Sequence, residues 1–234
     1  MPSLFECLTT HTKSSSCCAG DKMIQIDDAG SGSLVGGTCI GALRKETGEF
    51  YYEIIPIHLF NEANFKNKIY IYYTTEVVKN AFKKLSVKKS EEIQICQGYM
   101  FEDTRKFLTQ ADFSFSNSKI EEPLQSLIEK TFENYAISLG LPRGFITYTK
   151  YPFHFHRLLK WVYADYDNRI KLCKTGWKSW HKYSNINVEI YFDKVLNSNF
   201  VCLRCGKKIP DNSGVKVIKF FSNRINYVYV HKHC

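Results

Sequence analysis

Four residues near one end of the chain limit its fold more than any others: Cys202, Cys205, His231 and Cys234. Cys-x2-Cys followed by Gly206 is a tight knuckle that turns two thiolates toward one point. His231-x2-Cys234 supplies a second pair after a stretch long enough for about two strands, so the far side of a hairpin must return to the knuckle. A Cys3His set fills the four positions of tetrahedral zinc, which predicts a structural ion (Zn2+) rather than a catalytic one. His233 competes for the third place; the two-residue spacing to Cys234 favours His231. Lys207, Lys208, Lys216, Lys219 and Arg224 lie between the pairs, so this segment offers a basic face to nucleic acid or a docking face to a protein.

The order of knuckle, hairpin and final His-x2-Cys resembles the treble-clef zinc fingers. It implies a small zinc-binding module over residues 201–234. The chain has nine cysteines, an odd number. Its first residues lack the charged and apolar order of a signal peptide. Both point to reduced thiols plus a metal site rather than a disulfide framework, and to a cytoplasmic location, or a host-cell compartment for a viral chain. No apolar run approaches the roughly 20 residues needed to span a bilayer. Residues 1–21 read as a loose leader; its adjacent Cys17 and Cys18 make a poor chelate and are expected as free thiols.

The second constraint is the run Met23 to Gly37. Met23, Ile24 and Ile26 form a strand that delivers two adjacent carboxylates, Asp27 and Asp28, to its end. Gly30, Gly32, Gly36 and Gly37 follow, leaving no side chain between backbone and ligand. Thr38 to Leu43 reads as the return strand and Phe50 to Ile57 as a third. Ile69 to Tyr73 is ambiguous between strand and helix, with Thr74 an N-cap for a helix over 75–85. Strands are expected near 91–98 and 113–120 and helices over 99–109 and from Pro123 to Leu139. The order is β-β-β-α-β-α-β-α: an α/β fold with a three-strand antiparallel meander plus parallel strands, flanked by helices.

Ile26-Asp27-Asp28-Ala29-Gly30-Ser31-Gly32 resembles the first strand and loop of type 2 ribonucleases H, whose pattern is Asp-Glu-Ala-Gly-Arg-Gly. Asp28 stands for the glutamate and Ser31 for the arginine. The resemblance covers residues 23–140 and implies a ribonuclease H-like fold. Where the family's fourth strand ends in Asp-Gly, this chain has Gln97-Gly98; where the fifth ends in Lys-Ala-Asp, it has Lys119-Ile120-Glu121. The implied catalytic residues are therefore Asp27, Asp28 and Glu121, holding Mg2+ or Mn2+. Related resolvases place their last acids on a helix after the fifth strand, and Asp165 and Asp167 offer such a position.

From about residue 141 the ribonuclease H-like domain (22–200) continues as a basic and aromatic helical extension. Net charge is +9, which favours an anionic partner, nucleic acid first. Basic groups interleaved with flat rings suit a groove in which charge holds the backbone and rings stack on bases. Ser31, Gly32, Lys160, Arg169 and Lys178 are the candidate nucleic-acid contacts. The functional expectation is a divalent-metal-dependent nuclease acting on DNA, RNA or a hybrid. The alternative is an inactive nucleic-acid-binding or protein-interaction protein with the same fold and structural zinc.

Overall fold

The structure, a computed structural model, describes residues 22–147, 151–196 and 199–234. The expected leader, with Cys17 and Cys18, lies outside the described residues. A five-stranded sheet organises the first half. Its strands are β1 (Met23–Ala29), β2 (Thr38–Arg44), β3 (Phe50–Ile55), β4 (Glu92–Cys96) and β5 (Phe115–Ser118), in the order β3-β2-β1-β4-β5. β1 pairs antiparallel with β2 and β2 with β3, whereas β1, β4 and β5 run parallel.

Alternation along β1 explains why two layers of helix are needed. Ile24 and Ile26 are fully buried on one face, with Ile93 and Ile95 of β4 beside them. That face is covered by α2 (Ile69–Lys84) and α3 (Glu102–Gln110); the short α1 (Glu62–Lys66) precedes them. Ala29, Cys39 and Leu43 point the other way and pack on Leu124, Ile128 and Phe132 of α4 (Leu124–Ser138).

Of the two readings of Ile69 to Tyr73 the structure takes the helical one, and Thr74 is not the N-cap. α2 begins at Ile69, and Thr74 lies inside it, returning its hydroxyl to the Tyr70 carbonyl at 2.9 Å. The extra turn is held by packing, because Tyr70 stacks on Phe60 and Phe65 at 5.1 Å. β5 is shorter than expected, so Lys119, Ile120 and Glu121 fall beyond its end.

The second half holds α5 (Arg143–Thr147), α6 (Phe155–Tyr163), α7 (Tyr166–Arg169) and α8 (Lys178–Tyr183). They lead to an antiparallel sheet of β6 (Val188–Val195), β7 (Ser213–Phe221) and β8 (Ile225–His231). The expected boundary at residue 201 does not coincide with a break in this sheet. β6 pairs with β7 from Val188↔Phe220 to Val195↔Ser213, so the sheet that carries the cysteine knuckle begins before it. Nor is the module a separate unit: Cys202, Ile209 and Val215 share one apolar core with Leu158, Trp161 and Val35. No helix among the described residues is long and apolar enough to cross a membrane.

Candidate metal centres and the acidic cleft

The four C-terminal ligands meet. One ligand atom each from Cys202, Cys205, His231 and Cys234 lies within 4.8 Å of all the others. The Cys202 and Cys234 sulfurs are 3.7 Å apart, and the Cys205 sulfur is 3.3 Å from His231 Nδ1. Zn–S bonds of ~2.3 Å in a tetrahedron require S···S edges of ~3.8 Å, so the group could hold a metal such as zinc. Local chemistry builds this shape. Gly206 adopts φ +77°, which closes the knuckle through its N–H to the Cys202 carbonyl at 2.8 Å. The other ring nitrogen of His231, Nε2, lies 3.2 Å from the Lys208 carbonyl, which directs Nδ1 toward the sulfurs. His233, the competing ligand, is outside the group.

Arg169 ties this centre to the helices. It is buried, donates to the Leu203 and Arg204 carbonyls at 2.8 Å, and lies 3.9 Å over the Trp161 ring. A guanidinium committed to backbone carbonyls is not free for a phosphate, so its expected role in nucleic-acid contact is corrected to a structural one. Lys178 is exposed at the start of α8, and Lys160 is half-buried on α6.

At the end of β1 the structure brings together Asp27, Asp28 and Cys96, with ligand atoms within 4.8 Å. The parallel register sets Ile26 beside Ile95, so Asp27 and Cys96 are the next residues on adjacent strands. Burial pushes the Asp27 carboxyl up; hydrogen bonds from the Cys96 thiol and the Asp28 N–H hold it back, and Glu129 adds repulsion. Asp28 is pushed up to about 6, first by burial and also by Asp27, against hydrogen bonds from Ser31 and the attraction of Lys174. Burial and the nearby carboxylates push the Cys96 thiol itself up to about 12, and it donates a hydrogen bond to Asp27.

Glu121 does not join them. It is exposed on the turn before α4, because β5 ends three residues earlier. Glu129, Phe132 and Glu133 of α4 instead line, with Asp28, Ala29 and Gly30, a cleft of about 350 Å³ that Pro152 and Phe153 complete. Asp165 and Asp167, the other candidate helix acids, are elsewhere, Asp165 facing Arg204 at 3.4 Å. Gln97 is exposed, while Gly98 sits close enough to Asp28 that a Cβ there would lie 3.5 Å from Oδ1.

The glycine-rich loop is not a free cradle. Gly30 has φ +82°, and the space where a side chain would stand is filled by the Phe132 ring. Gly36 N–H donates to the Leu172 carbonyl at 2.9 Å, and Gly37 N–H to the Tyr135 hydroxyl at 3.1 Å. Ser31, expected on nucleic acid, instead hydrogen-bonds Asp28. Gly32 alone is exposed with nothing around it.

Beneath the loop lies Lys174, fully buried, one of the cations of the basic and aromatic extension. Its ammonium donates to the Gly30 carbonyl at 2.6 Å and to Thr38 Oγ1 at 3.1 Å, and faces the Phe60 and Trp177 rings. Burial pulls it down to about 7 against the opposing pull of Asp28. No sequence period marks such a lysine. Glu129 and Glu133 did carry a signal, an i,i+4 carboxylate pair on the polar face of the helix after β5. The chain matches no protein-family model, and no curated protein matches it.

Proposed function

We propose that this protein processes nucleic acid, cutting phosphodiester bonds at the acidic cleft lined by Asp28, Glu129 and Glu133, with Asp27 beside Asp28. The observation that carries this reading is the set of carboxylates from two elements, Asp28 with Glu129 and Glu133 around one cleft and Asp27 next to it, with both aspartates pushed up first by burial and also by a neighbouring carboxylate. Clustered, partly desolvated carboxylates are poorly stabilised until a cation arrives. Their oxygen donors suit Mg2+ or Mn2+ rather than zinc. Bound there, such ions supply charge stabilisation to the reacting phosphate and lower the pKa of water. The chain's own part is to hold the carboxylates: Ser31 and Asp28 N–H orient the pair, and Lys174 fixes the loop behind them. The antiparallel meander followed by parallel β4 and β5 is the arrangement that the ribonuclease H-like resemblance implies, and it supports the same reading.

A second reading, an inactive nucleic-acid binder with this fold, is favoured by two observations. Lys174 already offsets Asp28, and the fourth strand ends in Cys96-Gln97 rather than in a carboxylate. Cleavage of hybrid, duplex and branched substrates in Mg2+ or Mn2+ separates the two. Under the first reading Asp28→Asn and Glu129→Gln abolish metal-dependent cleavage while Glu121→Gln retains it. Under the second, the parent chain binds these substrates without cutting any.

A further inference from the structure

We propose that the pocket between the first turns of α6 and the β7–β8 turn is a phosphate-binding site that takes a phosphate group of the strand lying in the acidic cleft. The phosphate chemistry stands on the pocket itself; its assignment to a nucleic-acid strand rests on the function proposed above.

His154, His156, Arg157 and Lys160 from α6 and its cap converge there with Arg224 from the β7–β8 turn, around a volume of about 350 Å³. Asn223 and Asn226 complete the lining, and no carboxylate is part of it. Among the described residues none of Arg157, Lys160 and Arg224 pairs with an acid. The cations instead oppose one another. Lys160 is pulled down by burial and by Arg224 and Arg157; His156 is pulled down by burial, His154 and Lys182. Gathering like charges in a concave site is unfavourable unless an anion occupies it.

The donors are also held in place. Arg157 donates to the Phe145 carbonyl and lies 3.9 Å over the Phe145 ring. Its Nε, like His156 Nδ1, is buried without a hydrogen-bond partner. The first turn of α6, which has no side-chain cap, contributes His154, His156 and Arg157 to the lining, so the positive helix end lies beside the pocket. Arginine, lysine and two imidazoles around one space match the tetrahedral oxygens of a phosphate better than a planar carboxylate.

Position links this pocket to the cleft. Pro152 and Phe153 line the acidic cleft, and the chain then runs directly into His154 and His156. From Phe153 to His156 the chain spans at most about 11 Å, a separation that a short stretch of strand can cover. The pocket is thus placed, in sequence and through this short segment, next to the cleft in which the strand is proposed to lie.

The test uses the full chain with its metal loaded. Inorganic phosphate is titrated by calorimetry, and fluorescent oligonucleotides with and without a 5′-phosphate by anisotropy, for the parent, Arg224→Gln, Lys160→Gln and the remote control Lys83→Gln. The expected result is one phosphate per chain, weakened about tenfold or more by Arg224→Gln and by Lys160→Gln, not by Lys83→Gln. Phosphate should compete with oligonucleotide, and each pocket variant should reduce the salt slope of oligonucleotide binding by about one. Arg224 is exposed on a turn, so its variant keeps the test valid if Lys160→Gln folds poorly. Phosphate affinity indifferent to both variants overturns the pocket. Oligonucleotide binding that is tight but indifferent to them overturns the assignment to the strand and leaves the nuclease reading standing. Phosphate bound through these residues by a chain that binds no oligonucleotide supports the pocket and removes the nuclease reading.

Discussion

Gly30→Ala puts the packing of the acidic loop to a quantitative test. Gly30 sits at φ +82°, and an added Cβ would stand 2.1 Å from Phe132 Cε2. The backbone contribution, an alanine forced into the left-handed region, is about 1–2 kcal/mol. The steric contribution cannot relax cheaply, because Phe132 is only 1% exposed and wedged against Phe153 at 4.9 Å. Overpacking of this kind costs about 1–3 kcal/mol. The sum, about 2–5 kcal/mol, is a large share of the 5–15 kcal/mol typical of a whole domain. With an m-value near 2–3 kcal/mol/M, the urea midpoint falls by about 1–2 M. Gly32→Ala is the internal control: it has nothing within 4 Å and should change stability by less than about 0.5 kcal/mol. In the double variant Gly30→Ala/Phe132→Leu the steric part should disappear, leaving a total about 1–3 kcal/mol smaller than the sum of the single changes. Urea unfolding read by circular dichroism gives all four values. Additive changes within about 0.5 kcal/mol would refute the close approach of loop and helix on which the cleft's geometry depends.

Three further outcomes are expected. Purified protein should carry one zinc per chain by atomic absorption; Cys202→Ser should lose it and lower the melting temperature, whereas His233→Ala should keep both. Arg169→Met should destabilise the chain by about 2–4 kcal/mol, since each buried carbonyl left without its charged donor costs about 1–3 kcal/mol; an unchanged melting curve would contradict its structural role. Burial alone would raise the Glu91 carboxyl, but the Arg44 guanidinium 2.8 Å away holds it below its usual value. Its folded value is depressed, so the stability it contributes is present above the unfolded value of about 4.5 and is lost as pH falls through the folded one. Glu91→Gln should therefore cost about 3–5 kcal/mol at pH 7, with the difference from the parent shrinking below pH 4.

Much of the fold is legible in the residues because period and punctuation coincide. The meander follows from strand formers alternating between Met23 and Ile57, and the cysteine knuckle from spacing alone. What escaped was set by long-range packing. Nothing local says that Lys174 is buried under a loop more than a hundred positions earlier in the chain, or that Arg169 points inward while Lys178 points out. Glu121 stood at the expected sequence position, but its strand ends early; the carboxylates of α4 reach the cleft because Leu124, Ile128 and Phe132 fix that helix against the sheet. β6 was missed because it belongs to a sheet completed only by residues after the knuckle.

The most direct test of the account is a Mn2+ titration of the zinc-loaded protein followed by calorimetry. Binding is expected at the cleft; Asp28→Asn and Glu129→Gln should each weaken it at least about tenfold, and Glu121→Gln should leave it unchanged. A parent chain that takes up no Mn2+, or one whose Mn2+ affinity depends on Glu121 and not on Glu129, would contradict it.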